Sequence, residues 1–139
     1  MSPIRVELAH IKAHLTLSGD DFDPADITLE TGITPTYIRY KDEILRSGRA
    51  FGHYEWGIES SLHIGLEIKP AVKELIGMVS CDTATLAEIA LKHNAQWDVL
   101  IYTRCSPAMC FDAEQIKFFA EIGASVGFDN YCMQPRSPL

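Results

Sequence analysis

Ile11, Ala13, Leu15 and Leu17 alternate with Lys12, His14, Thr16 and Ser18, the period-two pattern of a strand with one buried and one wet face. The alternation stops at Ser18 to Pro24 (SGDDFDP). There Asp23 is placed to cap a helix with Pro24 at its first position, and Asp26, three residues after the cap, supplies a carboxylate version of the capping box. Gly32 marks the end of that short helix. From Ile33 to Arg49 the periodicity weakens: Thr34 and Pro35 predict a turn, Tyr37 to Lys41 a short strand, and Ser47 with Gly48 a loop. Tyr54, Trp56 and Ile58 then alternate with Glu55, Gly57 and Glu59, which predicts a strand ending near Ser60 or Ser61.

Beyond Pro70 the period changes to that of a helix. Val72, Leu75, Ile76 and Val79 follow an i, i+3, i+4, i+7 stripe, and a second stripe runs through Leu86, Ile89, Ala90 and His93 to a stop at Asn94. Trp97, Val99, Ile101 and Thr103 alternate with Asp98, Leu100 and Tyr102. Because Leu100 and Tyr102 are themselves apolar, this strand is expected at mid-sheet with both faces buried. Asp112 with Gln115 caps a helix carrying Ile116, Phe119 and Ala120 that Gly123 closes, and a last strand runs over about Ala124 to Tyr131.

The order β, α, β, β, α(α), β, α, β predicts an α+β fold: a single sheet of about five strands with helices mainly on one face. Its first six elements match a ferredoxin-like βαββαβ core, to which an αβ pair is added. The 139 residues are expected to form one domain, ordered over about 5–132 with a loose tail at 133–139 that contains two of the seven prolines. No internal repeat or low-complexity segment is visible.

Charge narrows the function classes. Twelve Lys and Arg against nineteen Asp and Glu leave a net charge of −7. Residues 1–70 hold seven basic and eleven acidic side chains and residues 71–139 hold five and eight, so neither half is basic. Nucleic acid is therefore not an expected partner. No apolar run is long enough to span a membrane, and the first residues (MSPIRVELAHIKAHL) carry charges where a signal peptide places its apolar core, so a cytoplasmic protein without a membrane partner is expected. In that compartment Cys81, Cys105, Cys110 and Cys132 are expected to be free thiols, several of them filling the core.

The catalytic and metal motifs mostly fail on context. Gly123 to Gly127 spell G-x-S-x-G, but a helix precedes Ser125, a strand follows it, and no histidine lies beyond His93, the reverse of a nucleophile elbow. Asp20, Asp21, Asp23 and Asp26 suggest calcium, yet a loop begun at Asp21 puts Asp26 at the required glycine and Gly32 at the required glutamate. An acid-rich helix N-terminus accounts for them better. Cys105 and Cys110 lack a second close Cys or His pair, His10 and His14 lie about 13 Å apart along an extended strand, and His53, His63 and His93 are scattered. No cofactor, metal or catalytic residue is predicted. The best candidate ligand site is the locally positive stretch Arg39, Lys41, Arg46 and Arg49, with His53 and Trp56, beside the aromatic Tyr54, which could hold a phosphate, a carboxylate or an acidic partner. The competing reading is a solvated loop with Trp56 in the core.

The runs HLTLSGDDFDPADITLETGITPT (from His14), YEWGIESS (from Tyr54) and WDVLIYT (from Trp97), the last followed by a helix and a closing strand, resemble a bacterial family catalogued as domain of unknown function 4279. The resemblance covers about residues 11–131 and is most specific over Ser18 to Ile27 and Gly32 to Thr36. It implies a small α+β protein and transfers no activity or site residue. Acidity, size and absent catalytic strings together predict a non-enzymatic interaction module that masks a basic protein partner, as small acidic immunity proteins do. The alternatives are a protein or enzyme that binds a small anionic ligand in a cleft near Arg39–Trp56, and a structural homodimer in which a second copy covers a sheet face or edge.

Overall fold

The first strand, β1 (Ala9–Gly19), lies at the middle of the sheet and shows why the chain folds as it does. Ala9, Ile11, Ala13, Leu15 and Leu17 are at most 1% exposed, and alternation puts all five on one face. The computed structural model describes residues 8–103 and 107–132, with the side chain of Cys132 excepted. After β1 come α1 (Pro24–Thr31), β2 (Tyr37–Arg39), β3 (Tyr54–Glu59), β4 (His63–Gly65), α2 (Lys69–Val79), a 3-10 turn, α3 (Thr83–Lys92), β5 (Asn94–Thr103), α4 (Ala113–Ile122) and β6 (Ser125–Cys132). Every helix contributes to the single buried cluster that holds the β1 stripe, through Ile27, Leu75, Leu86 and Phe119 among others. Each such apolar side chain contributes about 1.5–3 kcal/mol on leaving water.

The sheet is open and mixed, in the order β2-β3-β1-β5-β6, with β4 pairing the first residues of β1. β1 is antiparallel to β3 and β5, and β2 is antiparallel to β3, so β1 and β2 run parallel with β3 between them. By the same step β3 and β5 run parallel with β1 between them. Each of these connections needs a crossover, and α1 supplies the first while α2 and α3 supply the second. β5 and β6 form the one parallel pair, joined through α4.

The α+β class and helices on one face agree with the sequence pattern, and four details differ. β4 is an addition: three residues are too few to show a period. β5 is buried on one face only, since Tyr102 is 40% exposed and Leu100 half-buried; no helix covers that side. The Asp23 carboxylate accepts from the Ala25 N–H instead of entering a box with Asp26, whereas Asp112 and Gln115 do form the reciprocal pair. Cys81 and Cys110 are free thiols on the surface, so neither fills the core; Cys105 and the 133–139 tail lie outside the described residues.

A corner between β3 and β4 lets one continuous run follow the whole of β1. Ser60 makes it, with its N–H donating to Ala13 O (2.8 Å) and its Oγ accepting from Ala13 N–H (2.9 Å). Glu74 on α2 holds the next residues, accepting from Ser61 N–H (3.0 Å), Ser61 Oγ (2.9 Å) and His63 Nε2 (2.7 Å). The His63 bond, with help from Ser61, draws the Glu74 carboxyl below its ordinary 4.5. A carboxyl more acidic in the folded than the unfolded chain adds stability above its unfolded pKa, and that stability is lost as pH falls through the folded one. Because the Glu74 side chain is 35% exposed and partly screened by water, Glu74→Gln is expected to lower the melting temperature at neutral pH by the equivalent of no more than about 1 kcal/mol and to flatten the acid limb below about pH 5. Melting curves against pH check this; parallel curves for the two proteins would remove Glu74 from the corner.

Candidate functional site

The basic stretch forms a small hairpin that projects between β2 and β3. Ile44 and Ala50 pair antiparallel, Asp42 N–H donates to Phe51 O, and Gly48 turns the tip at φ +83°. That conformation favours glycine. The six predicted residues are not brought to one cleft. Arg39, at the base, lies 3.5 Å from Glu43 and stacks over the Phe51 ring at 5.8 Å. Lys41, Arg46 and Arg49 are exposed along the hairpin, with no ion pair to a described residue. His53 packs on Phe51 and lies 3.4 Å from Glu55. Trp56 is 0% exposed and donates its indole N–H to Thr28 Oγ1 of α1 at 3.1 Å, so it faces the core and not the hairpin. As a ligand residue Trp56 is thus corrected to a core residue, because strand alternation puts it on the helix side with Ile58.

The helix-free face of the sheet carries a polar chain that crosses three strands. Tyr37 O–H donates to Glu55 Oε1 (2.7 Å), its oxygen lies 3.2 Å from Thr16 Oγ1, and Thr16 Oγ1 lies 3.4 Å from His14 Nδ1. Each hydroxyl has one proton to give. With Tyr37 donating to Glu55, Thr16 must donate to Tyr37, and His14 must present Nδ1–H to Thr16. His14 Nε2 is then left buried without a partner. Burial, with the neighbouring carboxylate of Glu55 adding to it, pushes the Tyr37 phenol well above its ordinary value, so this tyrosine stays protonated and is no nucleophile. The chain can orient groups and couple strands.

A notch opens on the helix side, at the end of the sheet where β1 leaves it. Its volume is about 320 Å³, and Asp21, Phe22, Asp23, Tyr40 and Tyr54 line it. The Phe22 ring folds over Gly19, where a Cβ would come within 3.3 Å of it, and packs on His93 at 4.4 Å. Tyr54 meets Phe22 and Tyr40 edge-on at 6.1 and 6.3 Å. Phe22 and Asp23 also border a second recess of about 170 Å³, where Asp26 and Glu30 of α1 face Lys92 and His93. Burial and the adjacent Lys92 lower the His93 pKa, so at neutral pH its ring is an uncharged wall beside Phe22. Between residues 20 and 30 there are five carboxylates and no basic side chain. Aromatic faces beneath carboxylates are the chemistry that holds an ammonium or guanidinium group.

Asp20 to Asp26 have a sufficient local reading as an acid-rich helix N-terminus, and Phe22 and Tyr40 by themselves carry no sequence signal of a site, while Tyr54 stands out only as an aromatic following the basic stretch. The aspartates flanking an aromatic at Asp21-Phe22-Asp23 were the available signal. Tyr40 and Tyr54, fourteen residues apart, are joined only by the hairpin's closure. Among the described residues no group of three His, Cys, Asp or Glu side chains could hold a metal, and no helix is long and apolar enough to cross a membrane. A family model described as a domain of unknown function (DUF4279) matches residues 9–133. No curated protein and no solved structure matches the chain.

Proposed function

The chain belongs to the DUF4279 family, whose description names no activity, and from that premise we propose that it is a binding module that takes a cationic side chain of a basic protein partner into the Asp21–Tyr54 notch. The observation that carries the reading is the pairing of aromatic walls (Phe22, Tyr40, Tyr54) with a carboxylate rim (Asp21, Asp23) in one recess of side-chain size. A net charge of −7 speeds the approach of a cationic partner and discourages anionic ones. Asp21, Phe22 and Asp23 come to the notch from the turn between β1 and α1, and Tyr40 and Tyr54 from the two ends of the hairpin. Masking a basic surface asks only for carboxylates and rings placed to meet a cation, which this recess supplies.

The test is calorimetric titration of the full chain with a nine-residue arginine peptide, with a glutamate peptide of the same length as the opposite charge. The arginine peptide alone is expected to bind. Asp21→Asn and Tyr40→Ala, both at exposed positions, are each expected to weaken it about three- to tenfold, the effect of losing one charge partner or one π face. Binding unchanged in both variants would move the site elsewhere. A preference for the glutamate peptide, abolished by Arg46→Ala with Arg49→Ala, would favour an anion site on the hairpin instead.

A further inference from the structure

The sheet ends on one side in a strand that invites another. β6 pairs with β5 alone among the described strands, over eight residues, which leaves about 26 Å of main chain with unpaired donors and acceptors. Edge strands of soluble proteins are usually short, charged or covered, and β6 is none of these. Its one charge is Asp129. On the helix side Val126 and Phe128 are 40% and 42% exposed, and on the other side Tyr131 is 50% exposed and stacks on Tyr102 at 4.9 Å. The opposite edge, β2, is three residues long and ends in Arg39.

We propose that the free edge of β6 joins the same edge of a second copy of this chain, the two strands pairing antiparallel about a two-fold axis into one continuous sheet. A strand edge is satisfied by a strand, and the chain's own β6 is the one candidate that closes by symmetry. Pairing β6 with the short β2 of another copy would leave most of β6 uncovered and would continue into a filament. Charge favours the same choice. Two copies at −7 repel over most approaches, and β6 adds only one carboxylate in eight residues to that repulsion. An edge of this length, with side chains contributing on both faces, covers about 500 Å² per copy. The total of about 1,000 Å² lies at the lower limit of specific association, so the dimer dissociates on dilution.

Sedimentation equilibrium of the full chain from about 1 μM to about 1 mM tests this, because a mass-action dimer shifts across such a range. The average mass is expected to rise from one chain mass to twice that value and stop there. Val126→Lys, at a position 40% exposed, and Phe128→Lys, which also gives up the stacking of Phe128 on Phe111 at 5.7 Å, are expected to hold the mass at one chain throughout, and Val126→Lys to keep its circular dichroism unchanged. Leu29→Lys on α1, at an 81% exposed position, is expected to dimerise as the wild type does. A wild-type mass of one chain at the highest concentration overturns the proposal. So does a dimer that survives both β6 variants, and so does mass that continues to climb beyond two chains.

Discussion

Replacing Trp56 with alanine is expected to lower the unfolding free energy by about 3–5 kcal/mol, the largest single-residue loss the structure predicts. The side chain is 0% exposed, stands between Leu17 of β1 and Ile38 of β2 in the strand register, and reaches α1 through Thr28. It therefore ties the β1–α1–β2 crossover to the sheet. Truncation leaves a cavity that three elements would have to collapse to fill, and it strands Thr28 Oγ1. A small domain of ordinary stability, about 5–15 kcal/mol, would lose a large share of its margin. Trp56→Phe keeps most of the volume and gives up the indole N–H, so about 1–2 kcal/mol is expected. Arg46→Ala on the hairpin tip should change stability by less than about 0.5 kcal/mol. Urea unfolding of the three variants separates the roles: a Trp56→Ala loss no greater than that of Arg46→Ala would mean that the indole is not structural.

The contrast between Trp56 and its basic neighbours shows which links of the argument were visible in the chain. Alternation in β1 and β3, the Asp23 and Asp112 caps, and the Gly32 and Gly123 stops are local signals, and the elements they mark are present within one or two residues. What failed was any inference that needed two distant segments at once. Leu100 and Tyr102 looked buried because they are apolar, but burial depends on whether a helix lies above them, and all the helices pack on the other side. Ile116 likewise fits an apolar stripe and yet is 55% exposed, since the face α4 buries runs through Gln115, Phe119 and Ile122, one position away. The candidate site fared the same way. Charge along the hairpin was visible and pointed to an anion, whereas the notch depends on Tyr40 and Tyr54 closing over a turn whose aspartates had a sufficient local explanation as helix caps.

The second large effect lies at a residue with no side chain. Gly57 is buried on the helix-free face of β3 directly opposite Tyr37, and a Cβ there would sit inside the van der Waals radius of the tyrosine ring. Its φ is not left-handed, so the requirement is for space and not for backbone freedom. In Gly57→Ala the ring must swing away, breaking its bond to Glu55 Oε1 and its contact with Thr16, and a loss of about 2–4 kcal/mol is expected. The cause can be isolated because the obstacle is one side chain. With Tyr37→Ala already in place, nothing opposes the new methyl group, and Gly→Ala in a conformation open to both residues stabilises by about 0.4–1 kcal/mol through the unfolded chain. The same substitution should therefore reverse sign between the two backgrounds, a coupling of at least about 2 kcal/mol in a double-mutant cycle. If Gly57→Ala costs the same with and without the Tyr37 ring, close packing between β2 and β3 is not what glycine serves at that position. The polar chain from Glu55 to His14 would then have to be held together by its hydrogen bonds alone.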